Sequence, residues 1–112
     1  DINGFNAVLF DDMIETAGSI ESAYKLLRTN GAKRITVFAT HPVFSKPELV
    51  KERLDNITVI VTDSFPIKIL PKKTIVVSLK EFILEIANIV TNDNNMEVLN
   101  NTIPFTPKII LD

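Results

Sequence analysis

The sequence predicts an α/β domain whose parallel sheet carries helices on both faces. Short apolar runs typical of buried strands alternate with segments whose apolar residues recur at helical spacing. The connections between them are short, as in successive βαβ units. The 112 residues suit one domain, so we expect a single domain over residues 1–112. Its tail, residues 96–112, is compatible with an added strand or with a partner contact.

The first strand and the first helix are predicted before residue 31. Residues 7–10 form a continuous apolar run, typical of a strand buried on both faces, and Asp11 and Asp12 follow at its carboxyl end. Ser19 has a side chain suited to cap the next helix. The apolar stripe of that helix consists of Ile20, Ala23, Tyr24 and Leu27. Gly31 suits the left-handed position that follows a helix.

Three further apolar runs predict strands at residues 34–39, 57–61 and 74–77. Polar residues follow the first two of these runs, namely Thr40, His41, Thr62, Asp63 and Ser64. The carboxyl ends of parallel strands meet at one edge of a sheet, where ligands bind. We therefore expect these polar residues to gather at the same edge as Asp11 and Asp12.

Two further helices are predicted from capping-box spacings. Ser45 and Glu48 have this spacing, with a proline between them in the first turn, and predict a helix through about Leu54. Ser78 and Glu81 repeat the pattern before a second helix. The apolar face of that helix consists of Leu79, Phe82, Ile83, Ile86, Ala87 and Val90. A polar turn is predicted after it, over residues 91–95.

Composition narrows the classes of function. The net charge of −2 supplies no basic field, so we expect no nucleic-acid partner. Cysteine is absent, which excludes disulfides and thiolate metal sites and favours a reducing compartment, the cytoplasm. No apolar run approaches the ~20 residues that a membrane span needs. We therefore expect no membrane partner.

The loop after the first strand has the composition of a phosphate site. Thr16 and Ser19 offer hydroxyl donors, Ala17 and Gly18 allow close approach of the backbone, and successive N–H groups can face one anion. The alternative is a polar loop without a ligand. Asp11 and Asp12 suit ribose hydroxyls or Mg²⁺, the alternative being a solvated acidic strand end. Because neighbouring side chains of a strand point to opposite sides, only one carboxylate is expected to face the cleft directly.

Other polar residues suggest no catalytic machinery. His41, the only histidine, is interpreted as a hydrogen-bonded turn residue rather than a catalyst. No Ser-His-Asp order, metal-ligand cluster or Walker loop is present, and we assign no catalytic residue. Several cations are interpreted as surface charges, namely Arg28, Lys33, Arg34, Lys72 and Lys73.

Residues 8–19, Val-Leu-Phe-Asp-Asp-Met-Ile-Glu-Thr-Ala-Gly-Ser, resemble the ribose-5-phosphate loop of the type I phosphoribosyltransferase fold. Within that fold the chain is most similar to the ribose-phosphate pyrophosphokinases, the phosphoribosyl pyrophosphate synthetases. Residues 31–34, Gly-Ala-Lys-Arg, precede the second strand as in that family. Residues 40–45, Thr-His-Pro-Val-Phe-Ser, and residues 61–66, Val-Thr-Asp-Ser-Phe-Pro, resemble two of its turns. The resemblance covers about residues 5–90.

The resemblance implies transfer of pyrophosphate from Mg·ATP to the C1 hydroxyl of ribose 5-phosphate, giving phosphoribosyl pyrophosphate and AMP. The phosphate of the sugar would lie against a loop of five residues: Glu15, Thr16, Ala17, Gly18 and Ser19. Asp11 and Asp12 would contact the ribose hydroxyls near Mg²⁺, with either as a candidate metal ligand. The family also implies a homo-oligomer with sites near subunit contacts.

The sequence departs from the family in several places. The family's Asp-Thr-Ala-Gly-Thr is here Glu-Thr-Ala-Gly-Ser, and residues 66–73 form a shorter loop. Residues 89–95 lack the His-Asn-Gly-Glu-Ser-Val-Ser pattern that serves phosphate regulation and subunit contacts in the family. No counterpart of the ATP-binding domain, the pyrophosphate loop or the basic flap is present. The chain therefore resembles the carboxyl-terminal third of a synthetase, and we expect it to be inactive alone.

Three alternatives stay open at this stage. A synthetase-associated regulatory subunit would bind without catalysing. A base-specific phosphoribosyltransferase would share only the first loop and leave the two later turns unexplained. A receiver domain also begins with a strand that ends in two acids, and Asp63 would then be its phosphoacceptor.

Overall fold

The computed structural model describes residues 1–92 and the backbone of residues 108–110. Its elements are β1 (Asn6–Ile14), α1 (Gly18–Thr29), β2 (Arg34–Pro42), α2 (Pro47–Leu54), β3 (Thr58–Thr62), β4 (Thr74–Ser78), α3 (Lys80–Asn92) and β5 (Lys108–Ile110). The strands form one five-stranded sheet in the order β1-β2-β3-β4-β5. The first four strands are parallel, and β5 runs antiparallel to β4. The predicted α/β parallel sheet is confirmed.

The strand order excludes the receiver-domain alternative. Receiver domains have the order 2-1-3-4-5, in which the first strand lies inside the sheet. Here β1 lies at an edge, and its only partner in the described part of the chain is β2. That alternative is therefore wrong.

The core lies on one face of the sheet. Val37 and Ala39 of β2 and Val59 and Val61 of β3 are buried there at alternate positions. Helices α1 and α2 contact each other and cover this face. They contribute Ile20, Val50 and Leu54 to the same cluster. Burial of these apolar side chains is the main favourable contribution to folding.

The opposite face of the sheet carries exposed apolar side chains. Phe10 of β1 is 78% exposed, and Val8 on the same strand is also exposed. The ring of Phe10 lies 5.7 Å from that of Phe38 on β2, centroid to centroid. Neither α1 nor α2 covers these residues, since both helices contribute to the core of the other face. The described residues thus leave an aromatic patch uncovered.

The prediction for the first strand needs two corrections. Asp11 and Asp12 lie within β1 instead of after it, because the strand continues to Ile14. Its extra length is fixed by pairing, Asp11 with Ala39 and Met13 with His41. The predicted burial on both faces is also wrong, because β1 is an edge strand covered on one side only.

The predicted caps of the first two helices are wrong. Ser19 lies inside α1, whose N-cap is Ala17 and lacks a side-chain hydrogen bond. Helix α2 begins at Pro47, as its proline suggests, but its N-cap Lys46 also makes no capping bond. The hydroxyl of Ser45 is directed at the carbonyl of Glu15 instead of at the first turn of α2. For Ser45, a tertiary contact therefore replaces the predicted local cap.

Later predictions agree more closely. Gly31 is left-handed, with φ +87°, and a Cβ there would clash with the side chain of Asn3. Ser78 ends β4, and α3 extends to Asn92, so the predicted turn over residues 91–95 begins too early. The remainder of that turn lies outside the described residues. Lys108–Ile110 confirm an added strand, and the rest of residues 96–112 also lies outside them.

No described helix is long and apolar enough to cross a membrane.

Helix α3 is amphipathic, with half-buried side chains at Phe82, Ile86 and Ile89 along one stripe and exposed residues elsewhere. Phe82 and Ile86 belong to the apolar face predicted from the sequence, but Ile89 does not, and the predicted members Ile83, Ala87 and Val90 are exposed.

The substitution Leu54→Ala tests the assignment of the core. Leu54 is fully buried between α2 and the sheet, so its truncation leaves a cavity and should lower the free energy of unfolding by about 2–5 kcal/mol. The matched control is Leu26→Ala on the exposed side of α1, which should change it by about 0.5 kcal/mol or less. Urea unfolding followed by circular dichroism measures both. Equal effects of the two substitutions would contradict this core.

Candidate functional site

A cleft of about 260 Å³ opens where β1 leads into α1. Its lining residues are Asp11, Met13, Ile14, Glu15, Thr16, Ala17, Gly18, Ser19 and Ile20. All but one of the residues predicted for the site are therefore brought together. The exception is Asp12, which does not line the cleft because it points away from Asp11 along the extended strand.

The segment between β2 and α2 forms hydrogen bonds to the carbonyl groups at the start of the loop, on the side that faces the protein. The N–H of Phe44 donates to the carbonyl of Ile14 at 3.0 Å. The N–H of Ser45 donates to the carbonyl of Glu15 at 3.1 Å, and the hydroxyl of Ser45 reaches the same oxygen at 3.4 Å. These bonds fix the first two peptide groups that leave the strand.

Two helices hold the rest of the loop. Arg53 of α2 donates from Nη1 to the carbonyl of Thr16 at 2.7 Å. The carbonyl of Ala17 accepts the N–H of Glu21, which is the first hydrogen bond of α1. Four successive carbonyl groups, from the end of β1 to the start of α1, are thus engaged on the protein side.

The opposite side of the loop presents free N–H groups. In a trans peptide the N–H points away from the preceding carbonyl, so the anchored carbonyls turn the N–H groups of Thr16, Ala17 and Gly18 outward. The described residues offer no acceptor to these three groups or to the N–H of Ser19. The N–H groups of the first helical turn have no partner within the helix. Such an array, with the helix dipole behind it, is suited to an oxyanion.

Two buried residues adopt strained backbone conformations at this site. Ala17 has φ 62° and Phe44 has φ 44°, both in the left-handed region that disfavours side chains other than glycine. Each such conformation costs on the order of 1 kcal/mol and persists only where the surroundings impose it. Here the anchoring hydrogen bonds on both segments impose it. Strain of this kind is concentrated at ligand-binding sites.

Arg53 is a part of the site that sequence reasoning missed. Its Nε lies 3.1 Å from Oε2 of Glu21, while Lys25 binds the other carboxylate oxygen at 2.6 Å. The hydrogen bond from Lys25, helped by both positive charges, lowers the pKa of Glu21. A Cβ on Gly18 would lie 3.3 Å from Nη1 of Arg53, so the glycine allows this close approach. No local motif around Arg53 signals this long-range role.

The carboxylates of the cleft come from Asp11 and Glu15. Oδ1 of Asp11 accepts the N–H of Asp12, which leaves its second oxygen available. The described residues contain no group of three or more metal-ligating side chains. Mg²⁺, however, commonly uses one or two carboxylates together with substrate phosphates and water. The cleft therefore suits a cation that arrives with a phosphorylated ligand.

The polar ends of β2 and β3 form a second cluster at the same edge of the sheet. Nδ1 of His41 lies 2.8 Å from Oγ of Ser64, whose hydroxyl also reaches the carbonyl of Thr40 at 3.1 Å. The hydroxyl of Thr62 donates to that same carbonyl at 2.6 Å. If Ser64 donates its one hydrogen to Thr40, then His41 must donate from Nδ1. The predicted hydrogen bond of His41 is confirmed, but the residue lies within β2 and not in a turn.

Asp63 serves the connection between β4 and α3. Its Oδ2 accepts the hydroxyl of Ser78 at 2.9 Å, and its Oδ1 accepts the N–H of Leu79 at 2.8 Å. Both carboxylate oxygens are engaged, so this aspartate fixes the start of the last helix.

Comparison with known proteins identifies a matching family and several relatives. Residues 1–101 match the model of the family described as the phosphoribosyl synthetase-associated domain. A ribose-phosphate pyrophosphokinase from Mycoplasmopsis pulmonis is 42% identical over 90 residues, which are 77% of this chain and 28% of that protein. One from Helicobacter hepaticus is 33% identical over 102 residues, which are 88% of this chain and 32% of that protein.

The fold of a solved relative is also similar. The crystal structure of phosphoribosylpyrophosphate synthetase from Mycobacterium smegmatis matches with a TM-score of 0.77 and 35% sequence identity. The match covers 85% of this chain and 33% of that one. The chain thus spans about a third or less of the length of these relatives. The similarity extends far beyond the first loop, which favours the synthetases over a base-specific phosphoribosyltransferase.

The substitution Arg53→Met tests how the loop is held. It retains much of the aliphatic packing but removes the hydrogen bond to Thr16 and the ion pair with Glu21. We expect a loss of about 1 kcal/mol in the free energy of unfolding, reduced from the value for a buried charged hydrogen bond because Arg53 is partly exposed. Amide hydrogen exchange of Glu21 and Ser45, whose N–H groups are bonded to carbonyls of the loop, should also accelerate.

The matched control is Lys25→Met, which removes the other partner of Glu21 without touching the loop. It should leave the exchange of the Glu21 and Ser45 amides unchanged and affect stability less than Arg53→Met does. If both substitutions accelerated exchange equally, the loop would depend on the charge of Glu21 and not on the anchored carbonyl of Thr16.

Proposed function

The chain belongs to the family of phosphoribosyl synthetase-associated domains, and from this we propose that it forms the ribose-5-phosphate-binding part of a ribose-phosphate pyrophosphokinase. The single observation that supports this most strongly is the anchored loop, which turns three successive N–H groups away from the protein. A sugar phosphate combines the two chemistries that the cleft can satisfy, namely an oxyanion and neighbouring hydroxyls.

We assign the phosphate of the sugar to the loop. The N–H groups of Thr16, Ala17, Gly18 and Ser19 would bind its oxygens, and the hydroxyls of Thr16 and Ser19 would add donors. Glu15 would lie at the rim of the cleft. The positive end of α1 stabilises a negative charge there by a few tenths to about 1 kcal/mol.

The ribose hydroxyls are assigned to the acidic end of β1. Asp11 lines the cleft and would accept hydrogen bonds from the sugar directly. Asp12 points to the other side of the strand, so its contact would require a ligand that reaches around the strand end. Either carboxylate is a candidate ligand for Mg²⁺ bound with ATP, which would neutralise charge on the polyphosphate.

The reaction proposed for the whole enzyme is a diphosphoryl transfer. The C1 hydroxyl oxygen of ribose 5-phosphate forms a bond to the β-phosphorus of ATP and loses its proton. The bond between that phosphorus and the oxygen bridging it to the α-phosphate breaks, and AMP leaves. Catalysis of this class rests mainly on positioning and charge stabilisation. This chain would contribute positioning, because the loop fixes the far end of the sugar.

We propose that residues 1–112 are the carboxyl-terminal part of a longer synthetase that assembles as a homo-oligomer. Two features support a larger protein around this domain. The described residues leave one edge of β1 unpaired and the rings of Phe10 and Phe38 exposed, and proteins normally cover such surfaces. The substrates and the cysteine-free sequence support a cytoplasmic location.

Titration with ribose 5-phosphate tests the proposed site. Amide NMR of the 112-residue chain should show saturable shifts at residues 15–19, whereas ribose without phosphate should produce none there. Thr16→Ala removes a hydroxyl donor to the phosphate and should weaken binding about tenfold, as expected for a hydrogen bond to a charged group. Thr29→Ala removes an exposed hydroxyl from the far end of the same helix and serves as the control.

That control should bind ribose 5-phosphate like the unmodified chain. Equal affinities for Thr16→Ala and Thr29→Ala, or shifts centred away from the loop, would contradict the assignment of the sugar phosphate to the loop.

A second prediction concerns activity. The 112 residues alone should form no phosphoribosyl pyrophosphate from ribose 5-phosphate and Mg·ATP, because the described cleft contains no cationic side chain to hold a triphosphate. Formation of AMP, measured by chromatography against a sample without protein, provides the readout. Synthesis above that background would show that the chain holds the complete active site.

A further inference from the structure

A second cleft lies at the amino-terminal edge of the sheet. Its volume is about 290 Å³, and its polar lining includes four cationic side chains: Arg28, Lys33, Arg34 and Lys73. Arg34 begins β2 and Lys73 directly precedes β4, so these charges come from separate parts of the chain. The sequence alone suggested only scattered surface charges, and it is the parallel sheet that brings them together.

Among the residues that the structure describes, no acid compensates the positive charge of this basic cleft. Of the described residues that line it, none is acidic, and none of its four cations belongs to an ion pair. The acidic residue next to this lining in the sequence is Asp55, and its carboxylate is already bound to Lys72. Its Oδ1 accepts the N–H of Lys72 at 3.0 Å, and its Oδ2 lies 3.4 Å from the ammonium of Lys72. The chain as a whole carries a net charge of −2, which makes this local excess distinctive.

One of the cations is held in place by the backbone. Nη1 of Arg28 donates to the carbonyl of Ala32 at 3.0 Å and to that of Lys33 at 3.3 Å. The remaining guanidinium N–H groups stay available, and the side chain loses less freedom when it binds an anion. Tyr24 and Asn56 line the same cleft and add neutral donors beside the charges.

The basic cleft is remote from the proposed sugar-phosphate site. The nine residues of β2 begin with Arg34 at one edge of the sheet and end beside the first cleft at the other. A strand rises about 3.3 Å per residue, so the two edges lie about 25 Å apart. A ligand in the basic cleft cannot be part of the substrate bound at the loop.

We propose that the basic cleft binds a compact oxyanion with several negative charges, of the class of inorganic pyrophosphate. A single phosphate group carries a charge of about −2 at most, whereas two linked phosphates match four cations better. The four cations line one cleft of about 290 Å³, whereas a nucleic-acid backbone needs an extended basic surface, so the arrangement favours a small anion. Oxyanion contacts to arginine and lysine are charge-assisted and therefore strong.

Amide NMR of the 112-residue chain titrated with pyrophosphate at constant ionic strength tests this proposal. Saturable shifts are expected at residues 33–36, 56–58 and 73, with a binding curve separate from any at residues 15–19. The double variant Lys33→Gln and Lys73→Gln should weaken binding in the basic cleft about tenfold. Lys33→Arg and Lys73→Arg, which keep both charges, should retain it.

The matched control removes the same charge elsewhere, with Lys68→Gln and Lys80→Gln, whose side chains lie outside the cleft. It should change the affinity less than about twofold, because distant surface charges are screened. Equal weakening of binding by both double variants would show that only the overall charge of the chain matters, and would overturn the proposal. A lack of saturable shifts, or tighter binding of a glutamate-rich peptide than of pyrophosphate with the same pattern of shifts, would also overturn it.

Discussion

The anchoring of the loop carbonyls is the constraint on which the rest of the site depends. The four carbonyls from Ile14 to Ala17 are bound from three parts of the structure, namely the segment between β2 and α2, helix α2 and helix α1. These bonds orient the peptide planes, and the planes in turn decide where the N–H groups point. Helix α2 therefore matters to the site although it contributes nothing to the lining of the cleft. Its position makes the loop geometry a property of the tertiary fold.

This dependence explains which features the sequence could predict. The alternation of apolar runs and amphipathic stripes is a consequence of burial on the sheet, and it located the elements correctly. The predictions of element boundaries and helix caps were wrong where a side chain has a stronger tertiary partner. Ser45 was expected to cap α2, but its hydroxyl is directed at the carbonyl of Glu15 instead. Arg53 could not be identified at all, because its acceptor at Thr16 lies far away in sequence.

The failed prediction for β1 has a different cause. An apolar run such as residues 7–10 reports the burial that a strand has in its complete setting, whereas the described residues cover one face only. Val8, Phe10 and Phe38 remain exposed on the other face. The sequence thus anticipates a covering surface that the described residues do not provide.

The two ends of the sheet handle negative charge by different physical means. The loop uses N–H dipoles and a helix N-terminus, and among the described residues no lysine or arginine lines that cleft. This arrangement is compatible with Asp11 and Glu15 beside it, because a cation placed there would pair with these carboxylates and occupy them. The basic cleft at the other end has cations and no described carboxylate. A ligand with hydroxyls next to its phosphate therefore suits the first cleft, and a purely anionic one suits the second.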